Sequence, residues 1–218
     1  MGQDISMKRR RGRPSATAQA NQEELLKVAL NLFAKNGFEG TNIKTIASEA
    51  GVAGSLFYHH YKNKEGLWKA AMLALSKKMT LEIAAGEKLF RDLDALNFLK
   101  AWMRQFIYFS AKHPEFHQII SYELAHASER ADWLLSQILM PLHATVKQQL
   151  TVLQAEGLIK QIPTANFISI AIGAANIFFI QAYQMKKLYN VDVFDEAEIA
   201  RHADVVNELF FKGILVVS

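Results

Sequence analysis

The 218 residues contain no cysteine. Disulfide frameworks, thiolate metal sites and cysteine nucleophiles are therefore excluded, and the composition fits a reducing compartment such as the cytoplasm. The chain also lacks GxSxG, GxGxxG, HExxH and a Walker loop. Serine hydrolase, dinucleotide, zincin and P-loop chemistry have no carrier, so neither an enzyme nor a cofactor is expected. No stretch alternates apolar and polar residues for the length of a strand, and there is no internal repeat and no Gly-rich loop. The start, MGQDISMKRRRGRP, has a basic run with no apolar run behind it, so no signal peptide is expected. Met1, Gly2 and Ser6 formally meet the myristoylation pattern. One acyl chain without a second membrane signal anchors only weakly.

Half of the residues are hydrophobic, enough for a substantial core. Charge is unevenly placed. Residues 1–80 hold 13 Lys and Arg against 6 Asp and Glu, whereas residues 81–218 hold 12 against 15. A basic front and a mildly acidic rear suit a front that meets a polyanion.

The stretch Ile43 to Tyr61, IKTIASEAGVAGSLFYHHY, organises that front. Ile43, Ile46, Ala47 and Ala50 fall at helical spacing. Gly51 stands where a helix end needs positive φ, and Val52 can plug the angle before a second short helix, 53–60. Two helices about such a turn form a helix-turn-helix, whose second helix fits a DNA major groove. The competing reading is an ordinary helical hairpin in a core.

Before this pair, a helix is expected from Gln22 to Asn36, capped by Asn21 and ended by Gly37, with Leu25, Val28, Ala29, Leu32 and Phe33 buried. Asn42 or Thr41 can cap the next helix. Asn63 can start a further helix reaching about Ala85. Residues 1–20 read as a disordered basic arm. Within it, Arg11-Gly12-Arg13-Pro14 resembles the core of an AT-hook. Arg11 and Arg13 could follow a narrow minor groove, or the arm could touch phosphates only.

Residues 22–68 resemble the DNA-binding domain of the TetR family of bacterial transcription regulators. The resemblance rests on Phe33, Gly37, Thr41, Ile46-Ala47, Ala50-Gly51-Val52, Tyr58, His60, Lys64-Glu65 and Leu67. It implies an all-α fold: an N-terminal three-helix bundle with a helix-turn-helix, residues 21–68, and a larger C-terminal helical ligand-binding and dimerisation domain, residues 69–218. It places Lys44 where a base edge or a phosphate is reached, Gly54, Ser55 and His59 where bases are read, and Tyr58, His60 and Lys64 where phosphates are gripped. A phenol, an imidazole and an ammonium near a helix N-terminus suit phosphate. Ala53, Gly54 and Leu56 depart from the family pattern, leaving the recognition helix poor in hydrogen-bonding groups. Leu56 could touch a thymine methyl.

The rest of the chain reads as helices: about Leu93 to Lys112, Pro114 to His126, and Glu129 onward after a Ser128 cap. A kink is expected near Met140 because of Pro141, and Gly157 closes that segment. Phe167 to Tyr183, FISIAIGAANIFFIQAY, is nearly apolar all round, but Asn166, Ser169, Asn176, Gln181 and Gln184 punctuate it and no basic bias orients it. No membrane span is expected; a helix apolar on every face must instead be covered on every face. The last helix, about Asp195 to Val216, has its own stripe. In the resembling family these two helices pair with their symmetry mates, which implies a homodimer on a palindromic operator.

Trp102, Phe106, Phe109, Tyr122, Trp133 and Phe179 could wall an effector cavity, with Gln105, Glu123, His126 and Asn176 as polar groups. The same aromatics could simply fill the core. Glu123 and His126 have metal-ligand spacing, but a bundle metal site needs more ligands, so no metal is expected. The sequence thus implies a dimeric regulator that binds double-stranded DNA, most simply a repressor released by a small-molecule effector. An effector-independent activator or architectural protein is the alternative, and a helical module or enzyme that does not bind DNA is a third reading.

Overall fold

The computed structural model describes residues 16–52, 57, 60–89 and 93–216. The described residues are helical almost throughout, apart from a single bridge between Ile159 and Leu215. Helix α1, Ala16–Gly40, begins before the expected Asn21 cap, which sits inside it. The Ala-rich run from Ala16 favours helix over a capped start, so residues 16–20 are not the disordered end of an arm. Gly37 interrupts α1 at φ 70° and ψ 173°, a region essentially reserved for glycine. The buried Thr41 hydroxyl fastens the break, lying 2.7 Å from Gly37 O and 3.1 Å from Leu32 O.

Helix α2, Ile43–Glu49, is capped by Asn42, whose side chain accepts from Lys44 N at 2.8 Å. It ends in a Schellman motif: Val52 N donates to Ala47 O, Gly51 N donates to Ser48 O, and Gly51 has φ 64°. Helix α3, Lys64–Leu89, starts at an Asn63 cap on Gly66 N, 2.7 Å. The expected division at 68/69 falls inside this helix. Leu67 and Trp68 are buried near one end, Met79 and Ile83 nearer the other.

Helix α4, Ala95–Lys112, is the central rod and packs on α3 on one side. Helix α5 is Pro114–Ala125, with Pro114 in the first turn, where a missing N–H does no harm. Ser128 caps α6, Glu129–Leu134, which passes through a π-helical turn, Leu135–Leu139, into α7, Met140–Ala155. The irregularity expected near Met140 therefore takes this form. Pro141 has no N–H, and the widened turn just before it absorbs the mismatch.

Helix α8, Thr164–Ile180, bends by 65° at Gln181 into α9, Ala182–Tyr189. Among the described residues no single helix is long and apolar enough to cross a membrane; only this bent pair reaches the length. Helix α10, Glu196–Ile214, is capped by Asp195 and packs on α4 and α8. Its C-terminal end is held by Lys160, whose Nζ donates to Gly213 O and whose backbone N donates to Ile214 O, both at 2.8 Å. One apolar core runs without interruption from Leu25 in α1 to Ile214 in α10.

Candidate nucleic-acid interface and buried cavity

The front of the molecule is built by local signals. Asn42 opens α2 and Gly51 turns the chain; beyond the turn, the Phe57 ring is fully buried and 6.1 Å from that of buried Tyr61. Phe57 and Tyr61 are four apart, one helical face, and sequence reasoning had not singled out Phe57. Lys44 is exposed in the first turn of α2. His60 is exposed, its ring 6.0 Å from Tyr61. Arg11, Arg13, Gly54, Ser55, Leu56, Tyr58 and His59 lie outside the described residues.

Lys64 is placed differently from a simple phosphate grip. Its Nζ donates to Phe38 O at 2.9 Å and to Thr41 O at 3.3 Å, and lies 4.3 Å from the Phe38 ring centroid. Two of its three donors thus hold the link between α1 and α2, and the Glu39 carboxylate lies 3.9 Å from the same ammonium.

The junction of this head with the body is polar and closely paired. The Phe38 ring stacks on Phe33, meets Trp68 edge-on, and lies 3.9 Å from the Arg130 guanidinium. Arg130 Nε donates to Glu123 Oε1 at 3.0 Å, and its Nη1 lies 3.6 Å from Glu39. Ser128 donates to the other Glu123 oxygen at 2.6 Å. Trp133 packs on Trp68 at 5.6 Å. A Cβ on Gly37 would sit 3.7 Å from the Tyr122 ring, which itself packs on His126 at 4.2 Å.

Four side chains read from sequence as effector contacts, Tyr122, Glu123, His126 and Trp133, therefore belong to this junction. The physical reason is Arg130, seven residues beyond Glu123, which takes the carboxylate for itself. Four others lie elsewhere. Phe109 is buried against Phe116 and His113, and Phe179 against Phe178 and His202. Asn176 is buried and donates to Ile172 O at 2.9 Å. Gln105 is half-buried and off the cavity wall.

A cavity of about 190 Å³ does lie in the body, between α4, α5, α7 and α8. Trp102 and Phe106 line it, stacked on each other at 5.3 Å. Met79 of α3, Phe116, His117, Ile120, His143 and Phe167 complete much of the wall. His117 and His143 were missed. The legible signal was that His117, Ile120, Ser121 and Leu124 share one helical face. Burial pushes the His117 imidazole down to about 4 and lowers His143 as well. Both rings are neutral at pH 7.

Known proteins agree with the geometry. Residues 25–71 match the family model described as bacterial regulatory proteins, tetR family. These residues thus form the DNA-binding region of that family. The repressor KstR2 of Mycolicibacterium smegmatis is 40% identical over 52 residues, 24% of this chain and 25% of that protein. The repressor NicS of Pseudomonas putida is 27% identical over 157 residues, 68% of this chain and 63% of NicS. The chain spans less than two thirds of either relative. A TetR family transcription regulator from Marinobacter aquaeolei VT8 superposes with a TM-score of 0.71 at 15% identity, covering 92% of this chain and 98% of that one. At that identity the likeness is one of fold. It extends the shared helical fold from the head over the body.

Proposed function

We propose that this protein is a dimeric DNA-binding transcription regulator of the TetR family, most simply a repressor, that leaves a two-fold operator when a small molecule enters the body cavity. The carrying observation is that α3 belongs to both sites. Its first turn, capped by Asn63, comes directly after the segment that ends at Tyr61, and its Met79 forms part of the cavity wall. A ligand that favours one position of Met79 favours one position of the first turn of α3. Such a shift requires different ligand affinities in the two states, and a coupling of about 1–3 kcal/mol changes operator affinity about 5- to 150-fold.

The joint at the head supports this reading. Lys62 takes φ 62° while Asn63 N donates to Tyr61 O at 2.7 Å, a tight reversal that costs energy for a residue with a Cβ. Strain of this kind gathers where segments move.

Dimerisation is supported by an exposed apolar stripe. Ile170 (58% exposed), Ile177 and Ile180 lie along α8, and Val205 and Leu209 (71% exposed) along α10. Large apolar residues exposed in register on two adjacent helices mark an interaction surface. In a bacterium such a regulator works in the cytoplasm, on the chromosome. The Arg11/Arg13 arm would add minor-groove or phosphate contacts.

The test begins with duplexes selected from a random pool by the full-length protein. A DNA-binding regulator shows affinity that falls steeply with salt and a selected site of two related halves. A monomer by light scattering at micromolar concentration, or binding indifferent to sequence, would remove the dimeric-operator reading. Binding that no cavity ligand alters would leave the effector-independent alternative.

A further inference from the structure

We propose that the cavity takes an uncharged, mostly apolar hydroxyl compound, an alcohol or phenol, whose O–H donates to Nδ1 of His117 at the buried end. The ligand class stands on the cavity itself; only its link to DNA rests on the effector reading. Three observations carry it.

The first is charge. Among the described residues that line the cavity there is no Lys, Arg, Asp or Glu. A carboxylate or phosphate there would be a buried charge without a partner, which is strongly unfavourable. Neutral His117 and His143 offer no counter-charge at pH 7.

The second is the proton on His117. The Ser110 hydroxyl donates to Phe106 O at 2.7 Å, so its only proton is used. Ser110 Oγ also lies 3.4 Å from His117 Nε2. The oxygen is then left to accept from Nε2–H, which favours the tautomer with a lone pair on Nδ1. Nδ1 has no hydrogen-bond partner among the described residues, and His117 is part of the cavity wall. A ligand that donates completes it; one that only accepts meets a lone pair.

The third is shape. Phe106 and Phe116 are buried against His117, whose ring meets them edge-on at 5.3 and 5.4 Å. Ser121 and Leu124, one helical turn and two turns further along α5, are exposed. The cavity is closed around His117 and open to solvent near Ser121 and Leu124, so the hydroxyl lies deep and the apolar body points outward.

Four probes differing in one group each test this on the full-length protein at pH 8: 1-decanol, 1-methoxydecane, decanoate and, for a fused-ring body, 2-naphthalenemethanol. Calorimetry, and the emission of Trp102 in the wall, report binding. The expected result is saturable binding of at least one alcohol, about tenfold tighter than the ether and tighter still than decanoate. His117→Phe, which keeps the wall apolar, should erase the alcohol-over-ether preference while retaining binding of the decyl chain. Decanoate equal to or tighter than decanol, an ether equal to the alcohol, or no saturable binding of any probe would each overturn the proposal. DNA release is read separately on the selected duplex. An alcohol that binds with the expected preference and leaves DNA affinity unchanged upholds the ligand class and overturns the effector reading instead.

Discussion

Two interiors of this molecule obey opposite rules. At the junction of head and body, Glu123 is 2% exposed and both its oxygens are satisfied, one by Arg130 and one by Ser128, while Phe38 lies beside two cations. Deeper in the body, the cavity has aromatic and aliphatic sides and, among the described residues, no charged side chain. A directional network whose central carboxylate is paired on both oxygens has few alternative arrangements, so it suits a contact that must be either made or broken. An apolar cavity tolerates many shapes and suits an entering ligand. The contrast assigns the ligand's energy to one place and the switch to the other, with α3 joining them.

The contrast can be broken at the junction first. Gly66 lies one turn into α3, and an added Cβ would stand 2.2 Å from Tyr61 O, a backbone atom with little freedom. Gly66→Ala should cost more than about 4 kcal/mol in urea unfolding, or abolish DNA binding if the head shifts to escape the clash. Glu123→Leu removes the carboxylate between Arg130 and Ser128 and leaves the guanidinium with Glu39 alone. A loss of about 3 kcal/mol is expected, together with altered operator affinity in the absence of any ligand. A neutral result would show that the paired network is not a switch.

In the cavity, the expected signature is pH. The His117 pKa is about 4 in the folded chain and near its ordinary 6.5 when unfolded. Below pH 6.5 the unfolded chain binds a proton that the folded one refuses. Stability is therefore full above pH 6.5 and falls as pH drops towards 4, by up to about 3 kcal/mol. His143 and His202 are lowered too and act in the same direction, so His117→Phe should flatten the slope without removing it. Thermal unfolding across pH 4–8 reads this out. The smallest effect is expected at Lys62, where glycine relieves the left-handed backbone. Lys62→Gly should change stability by less than about 1 kcal/mol while loosening the coupling between ligand and DNA, and an unchanged coupling would remove the hinge from the mechanism.

Legibility in the sequence divides along the same line. Gly37, Asn42, Gly51, Asn63 and Ser128 act on their own neighbours within a few residues, so their roles were legible and the helices fell close to place. Asn21 failed because a run of alanines before it carries the helix past the cap. The cavity was harder because it depends on how helices are rolled against one another. Phe106 and Phe109 are three apart on one helix, yet the first faces the cavity and the second packs with Phe116 and His113. Glu123 looked like a ligand group because nothing in its own helix claims it; Arg130, on the next helix, does.

The π-helical turn at Leu135–Leu139 has a consequence for how such a protein diverges. It makes α6 and α7 one rod with two working faces: Trp133 ahead of the widened turn reaches the junction, while Leu142 and Val146 beyond it line the cavity. Loss or gain of one residue in that turn would rotate one half against the other by about 100°. A one-codon length change could thus present a new set of side chains to the ligand and leave the apparatus that grips the head as it was.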